Sequence, residues 1–231
     1  NGTPNSSPGR PVPPQPMAPF SAFKTPDLEA QTATTLDGGW RGRTERFSWD
    51  AVVYYSWVDN ELLSLRDATG ASLGAVNADK TTHFGIEIGG TAKLTDNISG
   101  RLAYTYQDFR FDNDPVHRNN RLAGAPSHLV NAALRYNFTP RAYLEGVANW
   151  VPDKTPVDNA NLLYNQSFAV FDVRGYLGLT DNIGLYGEVT NILDEVYASS
   201  TLIVDRAASQ QQAAFLPGDG RAFMVGIKGK F

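Results

Sequence analysis

Cysteine is absent from the 231 residues, which excludes disulfide frameworks, thiolate metal sites and cysteine nucleophiles and leaves the redox compartment open. Charge is sparse as well, 19% of residues against roughly 25% in ordinary soluble domains. Lys and Arg number 20 against 24 Asp and Glu, a net charge of −4, so there is no basic footprint for a nucleic-acid partner. No apolar run approaches the roughly 18 residues that a spanning helix needs, which excludes helical membrane spans. The sequence also lacks an initial Met and a cleavable apolar leader, so a processed or incomplete chain is expected. Neither a G-x-S-x-G elbow nor a phosphate-cradling P-loop is present, and no enzyme is expected.

Aromatic residues, at 11%, and 21 glycines are what the chain has in abundance, and this balance favours β structure. Prolines crowd the first 26 residues (Pro4, Pro8, Pro11, Pro13, Pro14, Pro16, Pro19, Pro26). Each removes a ladder donor and fixes φ, so residues 1–31 read as a loop segment and 32–231 as strands. The strands announce themselves by period-2 alternation. Phe47, Trp49, Ala51, Val53, Tyr55 and Trp57 share one face, opposite Ser48, Asp50, Val52, Tyr54 and Ser56. Eight further segments behave alike, around Leu36–Arg41, His83–Ile88, Ile98–Gln107, Val130–Phe138, Arg141–Trp150, Ala169–Arg174, Ile183–Thr190 and Phe223–Phe231. In each, one row is free of charge and the other collects Asp, Glu, Lys and Arg.

A soluble sandwich would alternate too, so the connections carry the decision. Short links (Gly42–Arg46, Thr95-Asp96-Asn97, Thr139-Pro140, Thr180-Asp181-Asn182) alternate without exception with long ones (Val58–Asp79, Phe109–Ser127, Val151–Asn165, Asn191–Gly220). Outer-membrane barrels show this rhythm, with short periplasmic turns and long extracellular loops. Tyr55, Trp57, Tyr104, Tyr106 and Trp150 would mark one lipid–water boundary, and Trp40, Tyr136, Phe138 and Phe231 the other. The expected fold is therefore all-β, an antiparallel transmembrane β-barrel portion of about nine strands in the bacterial outer membrane. Single-chain bacterial barrels have even strand counts, and open edges are intolerable in lipid. The missing strands are expected from elsewhere, most simply an N-terminal part of the same gene product.

Four motifs then carry a family resemblance. Thr190-Asn191-Ile192-Leu193-Asp194-Glu195-Val196-Tyr197 resembles the N-L-x-D-x-x-Y signature near the end of TonB-dependent outer-membrane receptors, and Pro217 through Phe231 resembles their last strand. Asn77–Glu87 is similar to their N-x-x-x-x-x-x-x-G-x-E strand entry, and Asn120–His128 to their N-R-L-x-G-x-P-x-H stretch. The resemblance covers roughly residues 28–231. It implies a barrel of about 22 strands around an N-terminal plug, of which this chain would form the last nine, importing a scarce ligand, commonly a ferric siderophore. The implied partners are the remaining N-terminal strands and plug, TonB through the plug region, the barrel-assembly machinery and outer-membrane lipid, with no nucleic acid and no resident cofactor. Phe231, with Phe223 at an alternate position, is the implied assembly signal. Neither the plug nor the TonB-contacting segment (the TonB box) is found in these residues.

A ligand arriving from outside would meet the upper inward positions His83, Glu87, Gln107, Asn149 and Asp172 and the loop residues His117, Arg118 and Arg121. Arg can hold an anionic chelate through charge-assisted hydrogen bonds. The three histidines lack the paired spacing of a zinc helix or finger, and Asp112-Asn113-Asp114 lacks the Gly and distal Glu of a calcium loop, so no metal site is expected. Two rival readings remain on these residues: a passive porin-like channel piece, and a structural β-sheet subunit that docks on another assembly through its edges.

Overall fold

The computed structural model describes residues 27–66, 71–207 and 215–230. Its main body is one sheet of nine antiparallel strands: β1 (Thr32–Arg43), β2 (Phe47–Arg66), β3 (Ser72–Lys93), β4 (Ile98–Phe111), β5 (His128–Thr139), β6 (Ala142–Val151), β9 (Phe168–Gly178), β10 (Ile183–Thr190) and β13 (Ala222–Gly229). The remaining elements are two small ladders within the long connections. β7 (Thr155–Pro156) pairs with β8 (Tyr164–Asn165), and β11 (Ala198–Thr201) with β12 (Phe215–Pro217). Each of the nine alternating segments falls on one strand of the large sheet, apart from Arg141 and Lys230 at strand ends and Phe231. Of the assembly signal, Phe223 sits in β13, whereas Phe231 lies outside the described residues, as does the Pro-rich stretch 1–26.

Register explains how a flat alternation becomes a curved wall. Trp40 pairs with Ala51, Ala51 with Ile88, Ile88 with Tyr104, Tyr104 with Val130, and Val130 with Trp150. That path begins near the short-turn end of β1 and finishes at the long-loop end of β6. Such a stagger is the shear that tilted strands require to close into a barrel. Each pair keeps its two side chains on one face, so the apolar rows of all nine strands merge into a continuous outer surface. Among the described residues nothing covers it: Trp40 is 70% exposed, Leu134 55% and Val225 87%. A lipid-facing wall requires this inversion of the usual burial.

The apolar band has polar limits at both ends. Above Tyr106 and Trp57 the same outer row continues as Asp108 and Arg110 on β4, Asp59 on β2 and Lys80 on β3, and Arg110 Nε lies 2.9 Å from Asp108. Between Ile98 and Tyr106 the band is about nine residues long, enough for a tilted strand to cross the hydrocarbon core. At the other end two ion pairs, Arg46–Asp96 and Arg141–Asp181, join neighbouring turns.

Each of the four short turns holds a threonine whose hydroxyl accepts a backbone N–H. Thr95 Oγ1 accepts the N–H groups of Asn97 and Ile98 at 3.2 and 2.9 Å, and Thr180 Oγ1 accepts those of Asn182 and Ile183 at 3.2 and 3.0 Å. Thr44 and Thr139 serve Phe47 and Arg141 in the same way. The hydroxyl supplies the acceptor that a reversing chain otherwise loses.

The connection read as a loop over Val58–Asp79 is instead mostly ladder, because β2 runs to Arg66 and β3 starts at Ser72. The apolar alternation stops at Asn60, whose φ is +56°, so the sequence signal fades there. Pairing continues because backbone hydrogen bonds above the bilayer need no apolar face. The result is a β-hairpin that stands beyond the membrane wall.

Candidate ligand site at the long-loop end

Among the described residues the buried apolar side chains are few, and their two clusters lie at the long-loop end. Ala78, Phe111 and Leu122 form one cluster with Leu63 and Phe109 against it, and Val157 and Leu163 form another with Ala207 and Phe215. Polar residues lock these clusters together. Asp158, fully buried, accepts the N–H groups of Leu162 and Leu163 through Oδ1 at 2.8 and 2.9 Å and that of Ala207 through Oδ2 at 3.0 Å. Asn161, at φ +56°, donates from Nδ2 to the Arg121 carbonyl and accepts the Arg121 N–H. Asn120 donates to the Asn159 carbonyl at 2.9 Å. Residues 112–127, 152–167 and 191–207 are thereby tied to one another and, through the Arg66–Val204 bridge, to the hairpin.

Each histidine meets a carboxylate from another segment. His83 Nε2 is 3.1 Å from Glu61 Oε2, His117 Nε2 is 3.0 Å from Asp205 Oδ1, and His128 Nε2 is 3.2 Å from Asp153 Oδ2. The first pair has the most developed surroundings. The His83 ring stacks on Phe109 with centroids 4.3 Å apart, and Thr81 Oγ1 donates to the same Glu61 oxygen. Burial pushes the Glu61 carboxyl up, but the hydrogen bonds from His83 and Thr81, with the His83 charge, outweigh it and hold the group below its ordinary value. The left-handed turn at Asn60 makes this possible. Glu61 has the parity of the outer row, yet it reaches the inner-row Thr81 and His83. A cavity of about 380 Å³ opens beside the pair, lined by Glu61, His83, Phe109, the loop stretch 122–125, Asn159 and Ile203.

The residues singled out from the sequence separate into two groups. His83 lines this cavity, and Arg121 directly precedes its loop wall. Arg121 Nη2 donates to the Ala125 carbonyl at 3.2 Å, so its guanidinium braces that wall. His117 packs its ring 4.7 Å from Phe111 in the adjoining loop. Arg118, at φ +57°, exchanges backbone bonds with Asp114, and its exposed guanidinium has no ion pair among the described residues. The others lie apart, along the inner wall. Glu87 is exposed on β3 without an ion pair among the described residues, and Gln107 sits opposite Gly85 on β4. Asn149 accepts from Asn131, and Asp172 Oδ1 accepts the Asn191 N–H at 2.8 Å, which fixes the start of the last long connection. Lower on the same wall Arg135 and Arg174 both hold Glu145, and Arg135 lies 4.0 Å over the Tyr143 ring.

Sequence reasoning missed Glu61, Asn159 and Asp158. Glu61 falls in a stretch without alternation and carries no signal of its own. The run Asp158-Asn159-Ala160-Asn161 does carry one, since clustered Asp and Asn favour left-handed turns with local side-chain bonds.

This arrangement, a staggered sheet with an uncovered apolar face, a polar inner face and loops massed at one end, defines an outer-membrane β-barrel wall. The sequence matches the TonB dependent receptor-like, beta-barrel family over residues 2–192, and the chain belongs to that family. Its place is thus the bacterial outer membrane. A search of curated proteins finds no match. Among solved structures, the ferric yersiniabactin uptake receptor FyuA from Yersinia pestis is similar with a TM-score of 0.73 at 17% identity, covering 88% of this chain and 30% of that one. The copper transporter OprC gives 0.70 at 19% identity, covering 88% and 32%, and the siderophore receptor PiuA from Acinetobacter baumannii 0.67 at 16%, covering 87% and 28%. The chain spans about a third of the length of these structures.

Proposed function

We propose that this chain forms the C-terminal wall and loops of a TonB-dependent transporter that imports a ferric siderophore, with the plug, the TonB contact and the remaining strands contributed from outside these residues. The observation that carries the reading is the loop end. A passive porin needs only a polar inner row, whereas here three connections and a hairpin are bonded into one body above the wall, with a carboxylate–imidazole pair and a cavity in it. Family membership supports the TonB-dependent mechanism. FyuA and PiuA are named for ferric yersiniabactin and siderophores and OprC for copper, which supports a metal chelate as cargo. Arg118, next to His117 in the chain and three residues before Arg121, offers an exposed guanidinium to an anionic chelate at the mouth. His83, Glu87, Gln107, Asn149 and Asp172 line the descent. Barrel assembly through Phe231 and Phe223 belongs to the same proposal.

The test is uptake of radioiron-loaded siderophores by iron-limited cells that express the full gene product. Uptake should vanish when the gene is deleted, and equally when the proton gradient is collapsed or TonB is removed. Uptake that persists without the gradient and saturates only with concentration would replace this reading by a passive channel.

A further inference from the structure

The cavity beside the hairpin holds a carboxylate whose partners all lie on one oxygen. Glu61 Oε2 receives Thr81 Oγ1 and faces His83 Nε2, while Glu61 Oε1 has no hydrogen-bond partner among the described residues. The Glu61 side chain as a whole is 14% exposed. A second group in the lining is also unsatisfied. Asn159, 2% exposed, uses Oδ1 to accept the Ala123 N–H, but its Nδ2 is buried without an acceptor among the described residues. Leu62, Leu63, Phe109, Leu122 and Ile203 supply the apolar part of the wall, with Ser64 and the His83 ring also in the lining. A carboxylate oxygen and an amide N–H group, both without partners among the described residues, in a mostly apolar cavity of about 380 Å³ match the usual make-up of a small-molecule site. A metal ion would find a single free carboxylate oxygen here and no ligand set.

We propose that this cavity binds a small organic amine that carries an oxygen at its far end. The ammonium donates to Glu61 Oε1, the body packs against Phe109, Leu122 and Ile203, and the far oxygen accepts from Asn159 Nδ2. The site rests on the assembled loops and not on transport, because occupancy is read by binding alone. It would stand even if the imported cargo proved to be something else.

The test is calorimetric titration of the full-length receptor in detergent near neutral pH. The probe is tyramine, an aryl ethylamine with a hydroxyl at its far end, and the comparison is para-ethylphenol, which keeps the shape and loses the ammonium. Tyramine should bind at least about tenfold more tightly, a preference worth about 1.4 kcal/mol. Glu61→Gln should abolish the preference. Ala125→Leu, which fills the cavity from the loop wall and alters no charge, should weaken both ligands and thereby show that the binding happens here. Equal binding of the two probes by the unaltered receptor, tyramine binding that survives Glu61→Gln, or no binding of either compound would overturn the proposal.

Discussion

Leu134 and Arg135 are adjacent in the chain and face different solvents. Leu134 is on the uncovered outer row, and its neighbours across the sheet are Gly100 and Gly146, so an arginine introduced there has hydrocarbon around it and nothing to pair with. Leu134→Arg should cost about 2–4 kcal/mol in a bilayer if the position is near mid-depth. Urea unfolding of the liposome-reconstituted receptor would measure it, and a cost near zero would remove the lipid-facing assignment. Glu145, on the inner row, holds two arginines that are each about a third exposed to a wet lumen. Glu145→Gln leaves those arginines hydrated rather than stranded, and the same assay should register only about 1–2 kcal/mol. The Glu61 carboxyl has a folded-state pKa below its unfolded one, so its contribution is present above the ordinary carboxylate value of about 4.3 and is lost as pH falls through the depressed value. Hydrogen exchange at residues 61–64 and 75–83, corrected for intrinsic rates, should therefore accelerate on acidification, and Glu61→Gln should flatten that step. An acid response unchanged in the variant would place the titrating group elsewhere.

At the scale of elements, the turns and the loops are stabilised by different means. Each short turn is closed by a threonine hydroxyl, so Thr95→Ala and Thr180→Ala should each cost about 1 kcal/mol, with serine restoring most of it, as read from the same unfolding midpoints. In the loops one side chain serves distant partners. Asp158→Ala strands the N–H groups of Leu162, Leu163 and Ala207, and exchange should rise together in residues 157–163 and 201–207 while the membrane strands stay protected. Protection lost in one segment alone would mean that Asp158 does not couple them. The contrast also explains what was legible beforehand. A strand in lipid must show an uncharged row, so Leu102, Leu134 and Val225 betray their face, and the turn threonines stand at the visible ends of those rows. The hairpin above the membrane obeys no such rule, and Glu61 acquires its place from a left-handed residue at Asn60 that one sequence does not disclose. His117 and His128 were visible as histidines, but their partners Asp205 and Asp153 lie in other connections, and only the assembled loops bring them together.

At the scale of the whole molecule, the stagger from Trp40 to Trp150 prepares a closure that the nine strands do not achieve. β1 and β13 are the ends of the sheet order, each paired on one side only among the described residues. Phe223, Val225 and Ile227 on β13 are 75%, 87% and 73% exposed, as an outer row requires, but the ladder groups between them need partners once lipid surrounds them. An unpaired backbone group in hydrocarbon costs several kcal/mol, and a full strand edge multiplies that cost beyond what the apolar row can offset. Pairing β1 directly with β13 would force nine strands to wrap a lumen, and an odd antiparallel set would bring two parallel strands together at the seam. The edges are therefore expected to be joined by further strands, roughly thirteen if the barrel has the family's usual size of about 22. Residues 32–231 refolded alone in liposomes should give aggregates or edge-paired oligomers rather than a compact monomer that resists proteases. Co-refolding with a chain that carries the upstream strands should yield a single protected species whose mass, by native mass spectrometry, is the sum of the two. A protected monomer formed by these residues alone would show that the edges satisfy each other, and the complementing strands would then have no structural role to fill.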